Sequence, residues 1–162
     1  MKRGQEEIVG FVMIMLVMVI VLLIFLGLSF RNKDTGTRDS KEIYQFLESM
    51  GEYTTGCQIR NSEYADLGEL FERCWSNDNC LNDEDSCVVL NKTLKDIFEN
   101  SWNVGPEAII KGYEFTSLYK SGDNEEKIVS LSFGICEKSI IGADYFLPAF
   151  PGRITNTLKL CY

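Results

Sequence analysis

The sequence contains no histidine. That absence removes serine–histidine and cysteine–histidine nucleophile pairs, and every histidine metal site with them. There is no Cys-x-x-Cys, which argues against structural zinc and against a dithiol redox centre. No phosphate-binding glycine loop is present either. Carboxylates are what remains as catalytic material, and 24 acidic residues supply a pair on paper in any chain. The expectation is a protein that is not an enzyme and that carries no cofactor and no metal.

Charge is missing from one long stretch. From Ile8 to Phe30 no side chain is charged. At about 1.5 Å per helical residue the run reaches roughly 34 Å, against a hydrocarbon core of about 30 Å. It exceeds the ~7–15 apolar residues of a secretory signal and no Ala-x-Ala-like site follows it. Hydropathy therefore predicts a retained transmembrane helix over 8–30, with the lipid bilayer as a partner. Residues 1–7 form a short basic leader and processing region, 31–39 a polar linker, and 40–162 an extracytoplasmic domain.

The first thirty residues hold Lys2 and Arg3 against Glu6 and Glu7, so the whole net charge of −8 belongs to the rest. An acidic domain is a poor partner for nucleic acid, whose phosphates need Lys and Arg. It is equally poor for docking on anionic lipid through a basic patch. All six cysteines, Cys57, Cys74, Cys80, Cys87, Cys136 and Cys161, follow the apolar run. An even count without short metal pairs reads as up to three disulfides outside the reducing cytosol. This sets the localisation: cell membrane, single pass, N-terminus cytoplasmic and C-terminal domain outside.

Periodicity fills in the domain. Asn32–Asp39, with Gly36 at its centre, reads as the linker. Ser40 caps a helix with Ile43, Phe46, Leu47 and Met50 on one face, ending near Gly51. A second helix is predicted over Ser62–Trp75, with Tyr64, Leu67, Leu70, Phe71 and Cys74 aligned, and a third, capped by Thr93, buries Leu94, Ile97, Phe98 and Trp102. After Gly105-Pro106 the period changes to two. Strands are predicted around Tyr113–Tyr119, over Lys127–Cys136 with Val129, Leu131, Phe133 and Ile135 on one face, and over Arg153–Cys161. The fold class is α+β: an N-terminal transmembrane helix, then a small disulfide-braced domain of about three helices and an antiparallel sheet of three or more strands.

If the last two strands are antiparallel neighbours, Cys136 and Cys161 lie roughly 25 Å apart at about 3.3 Å per residue, too far to bond. Each then pairs with one of the other four. The acidic loop Asp78, Asp83, Glu84 and Asp85 suits calcium by its oxygens but lacks the EF-hand spacing and glycine. Asn91-Lys92-Thr93 is an N-glycosylation sequon. Tyr145–Pro151 carries two prolines and reads as an extended or turning loop, folded onto the sheet or exposed as a contact patch.

The start, Lys2-Arg3-Gly4-Gln5-Glu6-Glu7 followed by the apolar run, resembles archaeal type IV pilin-like precursors with class III signal peptides. The resemblance covers about thirty residues and does not extend to the outer domain. It implies cleavage between Gly4 and Gln5 by a prepilin-type peptidase on the cytoplasmic side. It also implies that the helix stays on the mature protein as an anchor and then as a filament core. The family glutamate five residues into the mature chain is Val9 here, with Glu6 and Glu7 earlier instead. Two functions stand open: a pilin-like cell-surface structural subunit, a homo-oligomer or filament through Ile8–Phe30, or a membrane-anchored binding or receptor domain that does not polymerise. Gly10 and Gly27 permit close helix approach in the first.

Overall fold

The computed structural model describes residues 3–31, 35–137 and 139–162, and the side chains of residues 10, 12–25, 39–137 and 139–162. The chain divides into two compact units, Met1–Thr35 and Gly36–Tyr162.

The first unit is a helix, α1 (Arg3–Arg31). The uncharged run does become helical, as a stretch of Leu, Met, Ile and Val with no prolines allows. The reading of Ile8–Phe30 as a transmembrane helix is nevertheless corrected: among the described residues no helix is long and apolar enough to cross a membrane. Side chains are described for Gly10 and residues 12–25 of α1.

The second unit begins with α2 (Thr35–Gly51), followed by β1 (Thr54–Arg60), β2 (Glu63–Asp66), α3 (Leu67–Ser76) and α4 (Ser86–Ser101). Four strands complete it: β3 (Gly112–Ser121), β4 (Asn124–Gly134), β5 (Ile140–Ala149) and β6 (Gly152–Cys161). The class is α+β, with four helices and two sheets among the described residues. β1 and β2 make an antiparallel pair, and the large sheet runs β4-β3-β6-β5, every neighbour antiparallel.

Within this unit α2, α3 and α4 lie on one face of the large sheet. Phe98 of α4 is the centre of that contact: it is fully buried, with its ring 5.1 Å from both Tyr113 and Phe115 of β3 and 6.3 Å from Phe46 of α2. Trp75 at the end of α3 stacks on Tyr119 at 3.9 Å. Alternation puts Tyr113, Phe115 and Ser117 inward on β3, opposite Leu160, Leu158 and Asn156 of β6. The other face is polar, with Glu114–Lys159 and Lys120–Glu125 ion pairs across strands.

Several elements differ from the sequence reading. α2 starts at Thr35, so the predicted linker is helical from there on, while 32–34 lie outside the described residues. The predicted helix over Ser62–Trp75 starts as strand: β2 occupies its first turn and leaves Tyr64 exposed, and helix begins only after Asp66, whose Oδ1 accepts the Glu69 N–H at 2.7 Å. The third helix is capped by Asp85, accepting from the Val88 N–H at 3.0 Å, which leaves Thr93 mid-helix. Tyr145–Pro151 is not a loop throughout, because its first five residues belong to β5.

Candidate functional site

All six cysteines are paired: Cys57–Cys80, Cys74–Cys87 and Cys136–Cys161. The first ties β1 to the loop after α3, and the second ties α3 to the first turn of α4. The third corrects the expectation that Cys136 and Cys161 each bond elsewhere. β4 and β6 are not neighbours; both flank β3 antiparallel to it, so they run parallel to each other. Their C-terminal ends therefore lie at the same end of the sheet, where Cys136 and Cys161 have Cα atoms 5.1 Å apart.

A cleft of about 880 Å³ lies between the end of α2, the start of β1 and the exposed side of α4. Its floor is apolar, made by Met50 and the partly buried Phe46 of α2 and by Val89 and the partly buried Ile97 of α4, with Val88 exposed beside it. Its rim is polar and mostly acidic, with Glu84, Asp85 and Asp96 against Lys92. Local sequence accounts for this shape. The Asp85 cap starts α4 beside β1, and the Asn82 amide donates to the Gly56 carbonyl and to Glu84, closing the loop onto β1. A cleft with an apolar floor and convergent hydroxyls and amides suits binding. With no histidine in the chain, Ser49, Thr93 and Ser101 have no imidazole base beside them.

The other sequence-derived positions scatter. Asn91 is exposed on α4, its amide donating to the Cys87 carbonyl at 3.3 Å, so the sequon lies on a helix instead of a loop. The acidic loop does not converge: Asp78 accepts from Ser76, Glu84 from Asn82, and Asp85 serves as a cap. No metal-binding group of three ligands occurs among the described residues. Gly4 and Gln5 lie outside the residues whose side chains are described. Tyr145 sits on the inner face of β5, edge-on to Tyr44 at 5.9 Å; burial first, and Glu48 next, raise its phenol above the ordinary value. Nothing in the sequence announced the cleft, because its walls come from three separated segments.

The chain matches no family model, and no curated protein resembles it at a significant level.

Proposed function

We propose that this protein is a pilin-like structural subunit of the cell exterior that assembles with further copies of itself through α1. One observation carries the reading. Every described side chain from Val12 to Phe25 is a large apolar group between 47 and 72% exposed, all the way round the helix. A helix apolar on every side is stable only when covered by other apolar surface. Packing against α1 of neighbouring copies supplies that cover without exposing charge. Three disulfides suit an oxidising exterior, where a small domain gains from covalent bracing. The amino-terminal resemblance supports the same reading and adds a prepilin-type peptidase acting between Gly4 and Gln5.

The test is a charge placed in the helix. Wild-type protein sheared from cells is expected as filaments under the electron microscope, and Val17→Lys is expected to abolish them while the three disulfides still form. Filaments undiminished by Val17→Lys would contradict packing through α1. The cleft beside α4 favours a second reading, a receptor domain that binds a ligand and does not polymerise. That reading is supported if no high-mass species is ever recovered.

A further inference from the structure

Assembly through α1 makes no use of one sequence motif, Asn91-Lys92-Thr93, the one Asn-x-Ser/Thr in the chain. The fold sets its acceptor on the surface. Leu90 and Leu94 of α4 are fully buried, whereas Asn91 and Lys92 stand out into solvent. The Asn91 amide donates one of its two N–H groups to the Cys87 carbonyl at 3.3 Å. One turn earlier Val88 is 66% exposed, an apolar neighbour for the C–H face of a sugar ring.

The helix also separates the two halves of the motif. Residues two apart on a helix do not face each other. Asn91 accordingly stands outside the cleft, while Thr93 is half-buried and lines it. A transferase that reads the amide and the hydroxyl together cannot do so on the wound helix. The Cys74–Cys87 bond pins the first turn of α4, four residues before Asn91, and so holds the motif in that closed form.

We propose that Asn91 carries an N-linked glycan, attached before the Cys74–Cys87 bond closes α4. The donor is a sugar carried on a lipid phosphate. Nδ2 of Asn91 attacks the anomeric carbon and a C–N bond forms. The bond from that carbon to the phosphate oxygen breaks, the lipid phosphate leaves with the electron pair, and Nδ2 gives one proton to a base of the transferase. One N–H remains for the Cys87 carbonyl, so the finished helix accepts the modification. The sugar then stands on the solvent side of α4, beside the cleft. The proposal rests on the exterior location in the reading above, and not on assembly through α1.

The full chain recovered from its native cells is expected to carry added sugar mass on the peptide bearing Asn91. Asn91→Gln and Thr93→Ala are expected to remove it, and Thr93→Ser, which keeps the hydroxyl, to retain it. Wild-type protein made without glycan is then offered to membranes from those cells, which hold the transferase and the lipid-linked donor. Reduced and unfolded, it is expected to take up sugar at Asn91, whereas the folded, disulfide-closed form stays bare. Equal uptake by the two forms overturns the proposed order, and a bare Asn91 in every molecule from native cells overturns the proposal outright. In that case peptide mapping separates the causes: three disulfides leave the exterior location standing, and six free thiols remove it as well.

Discussion

Removing the bond between Cys136 and Cys161 is the sharpest test of the sheet topology. The pair closes a loop with a sequence separation of 25. The chain-entropy relation for a loop of that size gives about 3.5 kcal/mol of stabilisation at 25 °C. Cys161 is almost wholly buried, so alanine is the replacement that adds no buried hydroxyl. With a urea slope of about 1–3 kcal/mol/M, the double variant Cys136→Ala/Cys161→Ala should lose roughly 1.2 to 3.5 M from its unfolding midpoint. Tryptophan fluorescence reports the right unit: the only two tryptophans, Trp75 and Trp102, both pack inside it, on Tyr119 and Phe46. A midpoint that hardly moves would refute the claim that this bond holds the ends of β4 and β6 together. So would a peptide map joining Cys136 to any other cysteine.

Four further outcomes follow from particular residues. Asp85→Ala should cost about 1 kcal/mol as a lost helix cap, whereas Thr93→Ala, mid-helix, should cost far less; equal losses in chemical denaturation would contradict where α4 begins. Gly134→Ala should cost at least about 2 kcal/mol, since φ is +77° and the new methyl would meet the Lys111 carbonyl. Gly122→Ala, at φ +59° but in open space, should cost less, and thermal melts of the two decide. Phe98→Ala should lose about 3–5 kcal/mol by emptying the centre of the aromatic layer. Burial, and then Glu99, hold the Tyr113 phenol above its ordinary 10.0. Because the folded value is the raised one, Tyr113 stabilises the fold below pH 10 and that contribution is lost as pH rises through the folded value. Phenolate absorbance in Glu99→Gln should show the titration moving back down.

Elements with a clean period were readable in advance. Ile43, Leu47 and Met50 step along one face of α2, and all three are buried. β4 and β6 alternate plainly, although Phe133 stays uncovered because β4 is an edge, and Ile135 falls outside the strand, which ends at Gly134. β1 escaped notice because its two buried positions are Thr55 and Cys57, which carry no large apolar signal to mark the alternation. β5 escaped because prolines argue against strands; Pro148 is tolerated since its missing N–H faces the open edge. The disulfide at Cys136 was misjudged for want of strand order, which periodicity does not carry. The uncharged run reads as a span by its length and its lack of charge, yet among the described residues no helix is long and apolar enough to cross a membrane. The cleft was illegible for the same reason as the disulfide: it exists only once α2, β1 and α4 are brought together.

The most direct test of the proposed role is the amino-terminal sequence of the mature protein taken from its native cells. Processing of a pilin-like subunit predicts a chain that begins at Gln5. An intact Met1 on the assembled, surface-exposed protein would contradict it.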